Sequence, residues 1–177
     1  MFHRMIWLSA AAALALVVAA PSAADRPIRE PSPFGESFTY DAGDPCPFPL
    51  TVSAVKDKVY STLFFDKEGT FLRQQLAGSF LLELTNALTG KSIVVNVSGP
   101  TRVTENPDGS VTGVLCGLSF LHVNKIATAP AGIPIPSALI TQGPSVIEVA
   151  FGPNGLERET VIEVPHQWFN VCDVLAG

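Results

Sequence analysis

An alternation of apolar and polar residues begins at Leu50 and continues almost to the end of the chain. In residues 79–86 and 92–98, every second side chain is apolar, which is the period of a β-strand with one buried face. Turn signals that contain glycine separate the strand-like segments, as in residues 66–69 and 106–109. Strands joined by such short turns must pair antiparallel.

The number of these segments predicts an all-β fold, an antiparallel meander of about eight to ten strands. Only residues 170–175 have the pattern of a helical turn. A meander of this length closes into a barrel or splits into two packed sheets. We favour a β-barrel over a β-sandwich, because closure removes exposed strand edges and the alternation extends through most of the strands.

Residues 1–24 have the organisation of a secretory signal peptide. Arg4 provides the positive charge, residues 6–20 form an apolar run that is short for a membrane span, and residues 22–24 are small. Cleavage after Ala24 would start the mature chain at Asp25 and direct it out of the cell. An uncleaved anchor is the alternative. A lipoprotein is excluded, because the first cysteine is Cys46.

The segment between the signal and the first strong strand is rich in proline. Residues 25–49 contain six prolines, which lack an amide donor and restrict the preceding residue, so we expect an extended tether. Residues 38–41 form a short strand candidate that docks at a sheet edge. Residues 50–177 then make a single all-β domain, with no membrane span in the mature chain.

Three cysteines remain after the signal: Cys46, Cys116 and Cys172. In an oxidising compartment two of them are expected to pair. Cys46 and Cys172 bracket the domain, so we predict a disulfide between them. Cys116 lies in a strand-like segment and is expected to be a buried small hydrophobe. Pairing of Cys116 with Cys46, or with a second molecule, remains open.

The charge balance argues against several partners. The chain has 11 Lys and Arg residues against 16 Asp and Glu residues, a formal net charge of -5. Its cations are scattered singly along the sequence, apart from Lys56 and Lys58. We therefore expect neither nucleic acid nor acidic lipid as a partner.

No pattern of catalytic or metal-binding residues emerges from the sequence. His122 and His166 are the only histidines after the signal, and no metal-ligand spacing or nucleophile elbow is present. His122 is expected to be a satisfied, partly buried side chain. Glu157, Glu159 and Glu163 alternate along one strand, which is typical of a solvated strand face rather than a glycosidase pair. We predict no catalytic residue, no metal and no cofactor.

One connection, residues 124–136, has no strand period and is apolar. Long connections of this kind often form lids or binding loops. The residues proposed to bind a ligand or act as a lid are Ile126, Ile133, Ile135 and Trp168. The alternatives are that the loop packs back over one end of the domain and that Trp168 covers the core near the disulfide.

Residues 85–100, 106–111 and 170–177 carry the patterns TN-x-x-TGKS-I-x-x-N-x-SGP, NPDGSV and NVCDVLAG. These patterns resemble a family of small secreted bacterial β-proteins of unassigned function. The resemblance spans about residues 46–175. It implies secretion, β architecture and a bridge between Cys46 and Cys172, departs from the family at Cys116, and implies no activity.

These observations favour a secreted, extracellular and non-enzymatic domain. Its expected partner is a small apolar ligand or a component of the cell envelope. One alternative is a small-barrel enzyme of isomerase or cyclase type, which would need a buried polar residue. A structural envelope protein displayed on the tether is the other alternative. The polar residues considered for the enzyme are Asn96, Glu83, Arg73 and Arg102.

Overall fold

The computed structural model describes residues 26–153 and 155–176, so the predicted signal peptide lies outside the described residues. The described part is all-β and every strand pairing in it is antiparallel, as expected. Within it, no helix is long and apolar enough to cross a membrane. The elements are β1 (Ile28–Pro31), β2 (Phe38–Tyr40), β3 (Leu50–Phe65), β4 (Phe71–Asn86), β5 (Ser92–Asn96), β6 (Thr101–Glu105), β7 (Val111–Leu115), β8 (Leu118–Val123), β9 (Ser137–Gln142), β10 (Ser145–Gly152), β11 (Gly155–Glu163), β12 (Gln167–Asn170) and α1 (Val171–Leu175).

The two longest strands, β3 and β4, form a hairpin that organises the larger sheet. Each is 16 residues long, and they pair from Leu50 opposite Asn86 to Phe65 opposite Phe71. One end of the hairpin adds β2 and β5, and the other end adds β1 and β6. Near the middle, a Cβ on Gly78 would lie 2.0 Å from the Lys58 carbonyl oxygen, so only glycine fits there.

The larger sheet remains open. Its strand order is β1-β3-β4-β6-β7-β10-β11, with β2 and β5 added at the side, and the end strands do not pair with each other. The preferred closed barrel is therefore not found in the described residues. Residue Thr128 of the loop at 124–136 occupies the edge of β11 instead. Its amide donates to the Glu159 carbonyl (3.0 Å), and its carbonyl accepts from the Val161 amide (2.8 Å).

A second, three-stranded sheet has the order β12-β9-β8 and separates two hydrophobic cores. Its central strand β9 is buried on both faces, because Ile140 contributes to the first core and Leu139 to the second. The first core also contains residues of β3, β4, β5 and α1. The second contains residues of β8 and β11, with Ile133 of the loop packed against it. The double burial of β9 explains its lack of polar alternation.

The proline-rich segment predicted as a tether is packed on the domain from residue 28 onward. β1 and β2 both pair with β3, and the docked strand expected at residues 38–41 is present as β2. Cys46 and Phe48 are buried in the first core. Pro31 ends the edge strand β1 and the other five prolines lie outside the strands, where an amide donor is not required.

The predicted disulfide joins Cys46 to Cys172, residues separated by 126 positions in the sequence. It attaches the segment before β3 to helix α1, inside the first core. Asn170 caps this helix, since its side-chain oxygen accepts from the Cys172 amide. Cys116 is a free, half-buried thiol. The bridge therefore holds both ends of the domain against one core.

We expect the double variant Cys46→Ala and Cys172→Ala to lower the free energy of unfolding by about 2–5 kcal/mol, since the bond constrains a long loop of the unfolded chain. Guanidinium denaturation of the oxidised protein measures this change. Cys116→Ala is the matched control and should cost less. An equal loss in the control would contradict a specific role for the Cys46–Cys172 bond.

Candidate functional site

An apolar cavity of about 430 Å³ lies where β8 faces β3 and β4. Three phenylalanines and several aliphatic side chains provide most of its wall, and no described lining residue is charged. We call it the apolar cavity. It is lined by Ser32, Pro33, Phe34, Val59, Leu76, Ala77, Gly78, Phe80, Leu82, Val97, Ser98, Gly99, Thr101, Leu115, Ser119 and Phe120.

The segment between β1 and β2 provides one wall of the apolar cavity. The Phe34 ring lies 5.2 Å from the Phe80 ring and 5.6 Å from the Phe38 ring, in tilted contacts. The Phe34 amide donates to the Asp57 carboxylate on β3. Aromatic packing and this charge-assisted hydrogen bond hold the segment at the cavity.

The chain after β5 provides another part of the wall. The Ser98 hydroxyl accepts from the Phe80 amide (2.8 Å) and donates to the Phe80 carbonyl (3.2 Å). The next residue, Gly99, approaches β7 and β8 so closely that a Cβ would lie 1.9 Å from the Cys116 carbonyl oxygen. The turn therefore depends on glycine, and it brings Val97 and Thr101 into the lining.

A second, more open cleft of about 300 Å³ lies on the three-stranded sheet. Leu118, Trp168 and Phe169 line it and remain partly exposed. Its other lining residues are Ile140, Thr141, Gln142 and Gln167. Trp168, a predicted ligand residue, therefore lies at this cleft and not in the apolar cavity.

A cluster of four ionisable side chains joins the segment before β3 to β8 and β11. His122 Nε2 lies 2.9 Å from an Asp44 carboxylate oxygen, and the Tyr40 ring is 4.4 Å from the imidazole ring. Glu159 is the fourth member and accepts from the Asn124 amide at 3.3 Å. The prediction that His122 is satisfied and partly buried agrees with this contact.

Burial controls the electrostatics of this cluster. It raises the pKa of Tyr40 to about 12, with further contributions from the Asp44 and Glu159 charges. Burial also raises the pKa of Glu159, against the opposing effects of the Asn124 hydrogen bond and of His122. Glu159 is only 6% exposed. Its assignment to a solvated strand face was wrong, since Glu159 shares a face of β11 with Val161, which packs in the second core with residues of β8.

The arrangement has the elements of acid–base chemistry but not of nucleophilic catalysis. A histidine oriented by a carboxylate can accept and donate protons. No hydroxyl or thiol hydrogen-bonds to His122 in the described part of the chain. Among those residues no group of three His, Cys, Asp or Glu side chains is arranged to hold a metal ion. None of the four residues lines the apolar cavity.

The three loop isoleucines do not line the apolar cavity. Ile133 packs against the second core, while Ile126 and Ile135 are 47% and 42% exposed. Their role in ligand binding or as a lid stays a prediction. The polar residues considered for an enzyme are not buried together either. Asn96, Arg73 and Arg102 are exposed, and Glu83 is half-buried and accepts from the Ser92 hydroxyl.

The sequence did not predict the ionisable cluster around His122 or the apolar cavity. Asp44 and His122 are 78 positions apart, and the cavity residues come from six separate stretches of chain. The available signals were the aromatic residues Phe34 and Phe38 in a segment predicted to be an extended tether with one docked strand. Aromatic side chains in such a segment indicate docking onto a core.

Comparison with known proteins found no matching family model, no similar curated protein and no similar solved structure. The resemblance noted from the sequence therefore remains a prediction, and the functional argument depends on the geometry of this chain.

We expect Glu159→Gln to raise the melting temperature at neutral pH and to have a smaller effect in acid. Because the folded-state pKa of Glu159 is raised, the folded protein retains its proton to higher pH than the unfolded chain. The wild type therefore loses stability as pH rises from the ordinary glutamate range through the folded-state pKa. The Glu159→Gln variant does not lose this stability, because a glutamine side chain does not ionise.

Melting temperatures of the wild type and of Glu159→Gln, measured at neutral pH and in acid, give this difference. Glu163→Gln is the matched control, because Glu163 is an exposed carboxylate on the same strand. Equal pH dependence of the two variants would contradict the assigned effect of burial.

Proposed function

We propose that this chain is a secreted, non-enzymatic β-domain that binds a small apolar ligand in the apolar cavity. The proposal is supported by the size and the lining of the cavity. Its volume of about 430 Å³ lies within the range typical of small-molecule sites, about 300–1,000 Å³. Its lining, formed around Phe34, Phe80 and Phe120, gives a ligand a large apolar contact area.

The chemistry of the lining defines the ligand class. The described lining residues offer hydroxyl and backbone groups but no charged side chain. Burying an ionised group there would cost several kcal/mol without a compensating partner. The part of the ligand inside the cavity is therefore uncharged and mostly hydrocarbon.

Binding accounts for the cavity better than catalysis does. The acid–base pair Asp44 and His122 does not belong to the cavity lining, so a molecule held there contacts neither side chain. The pair instead connects the loop before Cys46 to β8. Its proposed role is to hold the domain together rather than to act on a substrate.

A fluorescent apolar probe, N-phenyl-1-naphthylamine, tests the cavity. We expect saturable binding by the wild type and about tenfold or greater weakening in Leu76→Trp, because the larger ring occupies the space of the probe. Fluorescence titration measures both affinities. Melting curves show whether the variant remains folded.

Leu72→Trp is the matched control for this experiment. Leu72 lies on the same strand, is 50% exposed and is not part of the cavity lining. Its substitution should leave the probe affinity unchanged. Equal weakening in both variants, or no saturable binding by the wild type, would contradict the proposed site.

The proposed secretion is supported by the signal-like residues 1–24 and by the presence of the Cys46–Cys172 disulfide. Expression of the complete chain in a bacterial host should deliver a protein that begins at Asp25, measured by the intact mass of the exported fraction. Leu14→Arg, which interrupts the apolar run, should retain the chain inside the cell. Export of this variant at the wild-type level would contradict a signal function.

A further inference from the structure

Strand register gathers cations that are far apart in the sequence. Arg29 on β1 is opposite Thr62, Thr62 is opposite Gln75, and Gln75 is opposite Arg102 on β6. Directly opposed residues of antiparallel strands point to the same face. The two arginines therefore lie at the ends of one row, about 14 Å apart across four strands.

Two further cations lie on this face. Arg73 is two positions from Gln75 on β4, and Lys58 is four positions from Thr62 on β3, so both share the face. All four cations are exposed. We call this surface the arginine face, and it consists of Arg29, Lys58, Arg73 and Arg102 together with the rings of Tyr60 and Phe64. These cations are scattered along the sequence, and the strand pairings bring them together on one surface.

Aromatic rings hold two of the guanidinium groups in place. Arg29 lies over the Tyr60 ring at 4.4 Å, and Arg73 lies over the Phe64 ring at 4.3 Å. Stacking on a ring leaves the N–H edges of a guanidinium available to acceptors. These arginines are therefore positioned to bind oxyanions without a large loss of side-chain freedom.

The arginine face carries an unneutralised positive charge. Between Lys58 and Phe64 on β3, and between Arg73 and Ser79 on β4, no side chain on the arginine face is an Asp or a Glu. The same is true of the β1 and β6 residues on this face. Within the described residues no ion pair involves any of the four cations. Arg158, farther across the same sheet, differs because Glu148 (2.9 Å) and Asp108 (3.8 Å) pair with it.

We propose that the arginine face binds an anionic polysaccharide through the carboxylate or sulfate groups of its sugars. Four exposed cations that make no ion pair within the described residues are complementary to the spaced negative charges of such a polymer, although the chain as a whole is acidic. Arginine presents paired donors that match such groups. Leu76 and Val59 of the apolar cavity lie on the opposite face of these strands, because they alternate with Gln75 and Lys58, whereas Ala77 adjoins both surfaces.

The observations favour a polysaccharide over nucleic acid or a membrane. Bases bind single-strand sites by stacking on open aromatic faces, but each ring here carries a guanidinium on one face. A membrane site needs apolar side chains that enter the lipid. Tyr60 is the only large hydrophobic residue of the arginine face that is exposed, and Arg29 covers it.

Isothermal titration of the oxidised protein with polygalacturonate tests the proposal, with neutral dextran as the uncharged polymer. We expect polygalacturonate to bind and dextran not to bind. The triple variant Arg29→Gln, Arg73→Gln and Arg102→Gln should bind at least about tenfold more weakly, because it loses three charge-assisted contacts. All three side chains are exposed, so the variant should keep the wild-type melting temperature and the probe affinity of the apolar cavity.

Two matched variants separate a specific site from general charge. Arg158→Gln removes one cation that is already paired and should leave the polygalacturonate affinity within about twofold. Arg73→Lys keeps the charge but loses the stacked fork, so its affinity should fall. Wild-type affinity in Arg73→Lys would contradict the role of the stacked guanidinium.

Other polyanions provide the remaining outcomes. Phosphatidylglycerol vesicles and a thymidine oligonucleotide should each bind more weakly than polygalacturonate. Equal or tighter binding of either one would overturn the polysaccharide assignment, as would unchanged polygalacturonate affinity in the triple variant. Because the apolar probe is titrated separately, failure at the arginine face is distinguishable from failure of the proposed cavity.

Discussion

The antiparallel pairing of β3 with β4 supports every other part of the molecule. One end of this hairpin contributes Leu50 and Leu84 to the first core, and the other end continues into the strands that reach the second core. Each of the two strands has 16 residues, whereas a typical strand has about five to six. One pair of strands can therefore bind β2 and β5 at one end and β1 and β6 at the other. Because Gly78 has no side chain, its backbone can lie close to the Lys58 carbonyl, and the two strands remain paired on both sides of this point. The cavity and the arginine face are both built on this pair.

The sequence predicted the local features of this fold and one long-range bond. The alternation after Leu50 gave the β class, because the side-chain period is a property of each strand alone. The positions of Cys46 and Cys172 at the limits of the domain gave the disulfide. The closed barrel was not predictable by the same reasoning. Closure depends on which strand meets the last edge, and here Thr128 of a loop meets β11.

The functional surfaces depend on strand register, because a shift of one residue would move every side chain of a strand to the other face. Arg29 and Arg102 belong to one row only because three successive strand pairings align them. Glu159 was assigned to a solvated face because its strand alternates, yet the second sheet covers that part of its face. Asp44 and His122 meet through the packing of two distant segments. These relations follow from three-dimensional contacts that leave no mark on local composition.

The two faces of β4 constrain how the sequence of this chain can evolve. Arg73 and Gln75 belong to one surface, while Leu76 and Leu82 belong to the other. A point substitution alters one surface at a time, so the two can diverge independently. Insertion or deletion of a single residue in β4 would exchange the faces beyond it and disturb both surfaces together. Lineages that keep either surface should therefore preserve the length of this strand.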